Sequence, residues 1–419
     1  MRGHRCSRAY SSCQPKKKET GMLKPPKIVS CILALAAALG MSALVSSAIH
    51  AQDTVAAQED EGASSRGFAG AVFAMTNETA DNRIVTYGRA SDGTLTRLGS
   101  IRSTRGLGQG VDTDTQGPLR LSQDNRYLYA VNPGSDEISV FAVNGTRLKF
   151  IQQVYAGDQP LSLTLSGNLL YVLNGSVAGN GIGGFTVESD GTLTPLPDSF
   201  RDLSSPIAVP GDIEFSPNGS VILVTHKTTN ALLSPQNVID AFTVGADGYA
   251  SATPIANASN GLRPFSLAFR DDDTLAVVES FNAFDNASAA SSYELFDGGS
   301  LAVISGSVPN GQTDSCWVVV TEDQRYAYTA NFGSGTISSY SFGPSGELTL
   351  IEGTAAFLGD TSQPVDLSLS DDGQFLYLLL RGTGAVAAFR IEDNGSLTSL
   401  GVVTGGLPVA DGASGLAAY

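Results

Sequence analysis

Histidine is scarce in this 419-residue chain: there are three, and His4 and His50 both fall in the first 51 residues. Tryptophan occurs once, at Trp317, and three of the four cysteines (Cys6, Cys13, Cys31) share the same N-terminal stretch. The remainder, 52–419, keeps only Cys316, so no internal disulfide can form and packing has to supply its stability. Basic residues are few as well. Residues 1–51 hold eight Lys/Arg against Glu19, which leaves 17 basic and 40 acidic residues beyond them, a net charge of −23. Such a surface repels nucleic acid and anionic membranes. Helical periodicity is sparse, and no nucleophile elbow, Gly-rich phosphate loop, HExxH or CxxC pair occurs, so those chemistries have no support.

What is present begins with the leader. Basic residues lead into the apolar run IVSCILALAAALGMSALVSSAI (28–49), which closes on small residues. That order describes a secretory signal peptide, and an uncleaved membrane anchor is the other reading. Met22 opens a signal of ordinary length. The expected organisation is therefore an extension 1–21, a signal peptide 22–51, a flexible linker 52–67, and a domain 68–419 that is extracytoplasmic, secreted or periplasmic, with no membrane contact of its own.

Glycine is abundant at 47 residues, and two strings recur. One is a strand start: PLSLTLS (160–166), GDIEFSP (211–217), PFSLAFR (264–270) and PVDLSLS (364–370). The other closes a hairpin: ASDGTLTRL (90–98), ESDGTLTPL (188–196), GPSGELTLI (343–351) and EDNGSLTSL (392–400). Equivalent positions fall at Pro118, Ser162, Asp212, Ser266, Trp317 and Asp366, spaced 44, 50, 54, 51 and 49 residues apart. Each unit reads as four strands joined by Asp-Gly or Asn-Gly turns, which is a propeller blade. The text from Val72 lacks a first strand, and ASGLAAY (413–419) matches a first strand with nothing after it. The expected fold is all-β: a seven-bladed β-propeller of four-stranded antiparallel blades, closed by the C-terminal strand joining the N-terminal blade.

In a blade the first strand is innermost, so its start meets the end of the second strand on one face. Loops on that face are long in blades 3, 4 and 5 (175–183, 227–237, 280–292), and uneven loops on a rigid scaffold are where binding concentrates. The residues ending the second strands are Asn77 (or Thr76), Asn132, Asn174, His226, Glu279, Asn331 and Leu380. Asn at such a place caps a Gly-rich turn. His226 and Glu279 break the pattern on adjacent blades, and His226 is the one histidine beyond the leader. Either can act as a general acid or base. Asp212, Trp317 and Asp366 come to the same mouth from the first strands, and Arg381 and Arg263 can bind a carboxylate or steady an oxyanion. The candidate catalytic set is His226, Glu279, Arg381 and Arg263. Asp212, Trp317, Asp366, Asn132, Asn174 and Asn331 are the candidate substrate-binding residues. A bland role as rim or packing residues stands beside each assignment.

The P-x-x-L-x-(L/F)-S start, the (D/N)-G-x-(Y/F)-L-Y strand and the D-G-x-L-T hairpin resemble the seven-bladed propeller lactonase family, which groups 6-phosphogluconolactonase-like and carboxymuconate cyclase-like proteins. The resemblance covers about residues 70–419. It implies a histidine, a glutamate and arginines at the channel mouth. Glu279 in AVVES matches the family's strand-two glutamate by position, and VTHK (224–227) resembles V-T-E-K with histidine substituted. The family's G-P-R-H-type phrase is replaced by GPLRL (117–121).

Two readings follow. In one the chain opens or forms a lactone ring by general acid/base chemistry at the mouth, on a neutral or monocarboxylate substrate, since a phosphorylated dianion suits an acidic, exported chain poorly. In the other it is a non-catalytic binding propeller whose blade 3–5 loops hold a glycan or peptide. No cofactor is expected. Ca²⁺ held by channel oxygens is the open alternative, and the chain is expected to be a monomer.

Overall fold

The computed structural model describes residues 67–176, 179–227 and 237–419. The expected extension, signal peptide and nearly all of the linker lie outside the described residues, as does most of the blade 4 loop. Among the described residues no helix is long and apolar enough to cross a membrane.

The strands assemble into seven antiparallel sheets arranged as blades around a ring. Blade 1 is ordered Leu416–Ala418, Gly70–Met75, Arg83–Arg89, Leu95–Ser103, so the last strand of the chain is its innermost member. Val72, Phe73 and Ala74 pair with Ala418, Ala417 and Leu416, as the truncated repeats at the two ends implied. Blades 2, 4, 5, 6 and 7 each run inner to outer in chain order, beginning at Leu119–Leu121, Pro210–Phe215, Pro264–Phe269, Ser315–Val320 and Pro364–Leu369. Blade 3, which starts at Pro160–Ser166, differs at its rim. Its fourth strand is split into Leu193–Pro195 and Arg201–Asp202, and both pieces pair with Gly181–Val187. In blade 2 the strand begins one residue after Pro118, whose missing N–H suits it to the position just before pairing starts.

The recurring hairpin meets the second strand of the preceding blade. The Tyr closing each (Y/F)-x-Y strand donates its hydroxyl to the hairpin Gly of the following blade: Tyr129 to Gly191 O (3.2 Å), Tyr328 to Gly395 O (2.9 Å) and Tyr377 to Gly93 O (3.0 Å). Tyr171 does the same with Gly248 O at 2.7 Å. These tyrosines are fully buried, and the bond satisfies the one polar atom each carries inward. Glycine is required on the receiving side for two reasons. Gly93, Gly191 and Gly395 have φ of 84°, 83° and 80°, and a Cβ there would meet the ring of Phe375, Tyr127 or Tyr326 at 2.2–2.6 Å. Between blades the second strands are buried along nearly their whole length, so aliphatic side chains of both faces enter the core.

Candidate functional site

The ends of the second strands form a ring of buried side chains, and in four blades that side chain meets the third strand of its own blade. Asn132 Nδ2 donates to Ser139 Oγ at 2.8 Å, and Asn331 Nδ2 to Ser338 Oγ at 2.8 Å. In blade 5 Ser291 Oγ donates to Glu279 Oε1. In blade 4 His226 Nε2 lies 2.9 Å from Asp240 Oδ2. The four partners occupy one equivalent position, two residues beyond the one directly opposite the strand end. Where the strand-end residue is Leu380, that position is Ala387. The histidine in blade 4 therefore answers an aspartate in the adjacent strand, because the pair is built as one node.

This corrects the expected roles of several residues. His226 and Glu279 are fully buried, and their polar atoms face their own blades. Glu279 accepts from Gly261 N (2.9 Å) and Ser307 Oγ (2.6 Å) as well as Ser291, and burial raises its pKa against these three donors. Asn132 and Asn331 link strands rather than capping turns. Asn132 Oδ1 also accepts from Asn82 Nδ2 (3.0 Å) and Thr104 Oγ1 (2.7 Å). Asn174, likewise buried, donates to Ala156 O at 3.0 Å. All five are buried instead of lining an open mouth.

The mouth itself is crossed by a segment that the repeats did not reveal, 106–118, between blades 1 and 2. Asn77 holds its first half, donating to Val111 O (2.6 Å) and accepting from Gln109 N (3.1 Å). Its second half inserts at the top of the channel. Trp317 Nε1 donates to Thr115 O (3.1 Å), and Gln116 Oε1 accepts from Val318 N (2.9 Å). Gly117 N reaches Asp366 Oδ1 at 3.4 Å, while Gly415 N donates to Asp366 Oδ2 at 2.8 Å. Asp212 accepts from Ile213 N and Leu267 N at 2.9 and 3.1 Å. Burial pushes the Asp366 carboxyl up to about 6 and Asp212 well above the usual carboxylate range, in the latter case reinforced by Glu214. Asp212, Asp366 and Trp317 thus hold this strap and the channel wall, rather than meeting solvent as candidate ligand contacts.

The strap brings its carboxylates to three cations. Asp114 Oδ2 is 2.7 Å from Lys227 Nζ and 3.7 Å from Arg263 Nη2. Arg263 Nη1 is 3.6 Å from Asp314 Oδ1, and Asp112 forms an ion pair with Arg381. Between the two ends of this cluster runs a row of aromatic rings. Phe265 and Trp317 have centroids 5.0 Å apart, and Trp317 and Phe332 6.3 Å. Lys227 Nζ lies 4.3 Å from the centroid of Phe265, and Arg381 Cζ 5.2 Å from that of Phe332. Burial lowers the Lys227 pKa against the pull of Asp114, and burial raises that of Asp314 against Arg263. Asp114 is the most open carboxylate here, with 37% of its side chain exposed.

Arg263 and Arg381 were expected at the mouth and are found there. Lys227 and Asp114 were missed. Lys227 directly follows His226 in the VTHK phrase, and Asp112 and Asp114 alternate in VDTDT (111–115), so the signal was a run of like charge in an interblade loop. The second-strand nodes position this cluster. His226 fixes the strand end from which Lys227 projects, and Glu279 holds Gly261 two residues before Arg263. No group of His, Cys, Asp and Glu suited to a metal ion occurs among the described residues.

Residues 67–209 match the family model described as Lactonase, 7-bladed beta-propeller. The resemblance is to the propeller lactonases. Among solved structures, the Pseudomonas aeruginosa periplasmic gluconolactonase aligns at a TM-score of 0.64 and 18% identity, covering 83% of this chain and 98% of that one. A Lactobacillus plantarum protein aligns at 0.63 and 17% identity, covering 83% and 98%. At these identities the likeness lies in the fold alone. No curated protein matches the sequence.

Proposed function

We propose that this lactonase-type propeller is exported and opens a lactone ring at the channel mouth. The observation that carries the proposal is the convergence of Lys227, Arg263 and Arg381 on a half-open site beside Asp114. The gluconolactonase described for the Pseudomonas structure supports a sugar-like lactone as substrate. Each of the three cations already faces an aspartate, so the site carries little net positive charge and suits a neutral or monocarboxylate lactone better than a phosphorylated one.

In the proposed reaction Asp114, held by Lys227, accepts a proton from a water as the water oxygen bonds to the lactone carbonyl carbon. Arg263 faces the oxyanion that develops, and Arg381 orients the far end of the ligand. As the acyl C–O bond breaks, Asp114 returns the proton to the ring oxygen, which leaves as the hydroxyl of the hydroxy acid product. His226 and Glu279 are positioning residues for Lys227 and Arg263.

One observation favours a second reading, a binding propeller without catalysis: Asp112 and Asp114 sit where an acidic partner would engage the cations. A panel of unphosphorylated lactones offered to the wild type and to Asp114→Asn separates the two. Turnover that falls about a hundredfold or more in the variant, with unchanged melting, supports the catalytic reading. An inert wild type, or a fully active Asp114→Asn, overturns it.

A further inference from the structure

The starts of four inner strands share one backbone device. Three residues ahead of the aligned positions Ser162, Ser266, Trp317 and Asp366 stand Gln159, Arg263, Asp314 and Gln363, with φ of 55°, 55°, 56° and 47°. Asp114 on the strap has φ of 51°. A Cβ makes this left-handed backbone costly, and glycine is the residue that ordinarily fills it. Polar residues held there in four blades point to a use for their side chains.

Three of the four are engaged at the mouth. Gln159 Nε2 donates to Gln109 Oε1 of the strap at 3.0 Å, Arg263 Nη2 lies 3.7 Å from Asp114 Oδ2, and Asp314 Oδ1 lies 3.6 Å from Arg263 Nη1. Gln363 differs. It is half-buried, and its Oε1 is shielded from solvent yet receives no hydrogen bond from any described residue. Its place in the fold is beside the mouth cluster. Arg381 N donates to Gln363 O at 3.2 Å, and the Arg381 side chain forms the ion pair with Asp112. Phe332, whose ring lies under Arg381, donates its N–H to Asp314 O at 2.9 Å. Asp314, Phe332, Arg381 and Gln363 thus follow one another along a single arc.

We propose that Gln363 is a specificity-determining residue of the mouth, its Oε1 accepting a hydrogen bond from a hydroxyl group on the ligand. The assignment rests on the lactone reading above and names which part of a lactone this chain selects. A buried acceptor is seldom left without a donor, and a methylene or ether in the ligand offers none. An anionic oxygen at the same place would meet the amide oxygen lone pair to lone pair and be rejected. A neutral hydroxyl satisfies the acceptor without adding charge.

Two neutral lactones test this: D-glucono-δ-lactone, which carries hydroxyls, and δ-valerolactone, the same ring without them. Background-corrected kinetics on both are measured for the full chain and for Gln363→Met, which keeps the length of the side chain and removes the acceptor. The variant should raise KM for gluconolactone roughly fivefold or more with little change in kcat, and leave KM for δ-valerolactone within about twofold. Its melting temperature should hold, because no internal hydrogen bond to the amide oxygen is lost. Gln363→Leu serves as the second variant should the methionine fail to fold. An equal KM shift on both lactones, no shift on either, or a fall in melting temperature beyond about 3 °C in both variants would overturn the assignment while leaving lactone turnover standing. A wild type inert on both lactones removes the lactone reading itself, and this assignment with it.

Discussion

Blades 2 and 4 place different chemistry at one structural position. In blade 2 the strand-end node is Asn132 on Ser139, neutral and joined by further donors from blade 1. In blade 4 it is His226 on Asp240, with Ser204 N donating to the same carboxylate oxygen at 2.7 Å. Both are fully buried and both tie strand two to strand three. A residue that looks exceptional along the chain is ordinary once its cross-strand partner is read with it. Chemical rarity, even that of a lone histidine, is weak evidence for catalysis when the neighbouring strand has changed in step.

The comparison can be broken most sharply at the acid. Asp240→Ala leaves His226 and Ser204 N without their acceptor in a dry site, so a loss of about 3–5 kcal/mol is expected in denaturant unfolding. A loss below roughly 1 kcal/mol would mean that the pair carries no structural weight. Glu279→Gln tests the blade 5 node and should cost about 1–3 kcal/mol, because one amide N–H₂ must face donors that a carboxylate accepted. Its pH dependence has a definite sign. Burial raises the Glu279 pKa above 4.5, so the unfolded chain releases this proton before the folded one does, and wild-type stability falls as pH rises through that window. The non-titrating variant lacks this fall, and the gap between the two should narrow from acid to neutral pH. A gap that widens would refute the assignment.

The smallest effect is expected from rebuilding one node as the other. His226→Asn/Asp240→Ser gives blade 4 the pair found in blade 2. Most of the Asp240→Ala loss should be recovered, to within about 1–2 kcal/mol of wild type, with Ser204 N the one donor left wanting. If His226 positions Lys227 without itself moving protons, this double variant retains lactone turnover. Restored stability with abolished turnover would return His226 to the chemistry.

Several features were legible before any coordinates. The Asp-Gly hairpins, the strand starts and the unmatched first and last repeats announce seven blades and their closure, because turn chemistry and period-two alternation act locally. The nodes were half legible. Ser139, Ser291, Ser338 and Asp240 all stand at one offset across a hairpin, but loops of different length separate them from their partners and hide the pattern from linear spacing. The strap was not legible. Thr115 finds Trp317 and Gln116 finds Val318 across 202 residues, and no local propensity encodes such a meeting. Arg263 and Arg381 were identified from their places next to strand ends, whereas Asp114 has meaning only once the strap lies across the mouth.

Closure of the ring has a consequence for how the chain could be reordered. Tyr419 N donates to Ala71 O at 3.1 Å, and Arg89 Nε to Tyr419 O at 2.9 Å, so the first and last described strands of the propeller touch. Four blades also hold the next through the same kind of tyrosine–glycine tie, and Tyr377 to Gly93 carries that tie across the seam. Where the polypeptide starts within this ring is therefore nearly arbitrary. A circular permutant that joins 419 to 70 through a short linker and opens instead between the exposed hairpin residues Asp393 and Asn394 should keep the same blades. Emerging from synthesis, the natural order leaves blade 1 one strand short until Leu416–Ala418 arrives, while the permuted order would complete blade 1 early and make blade 7 wait.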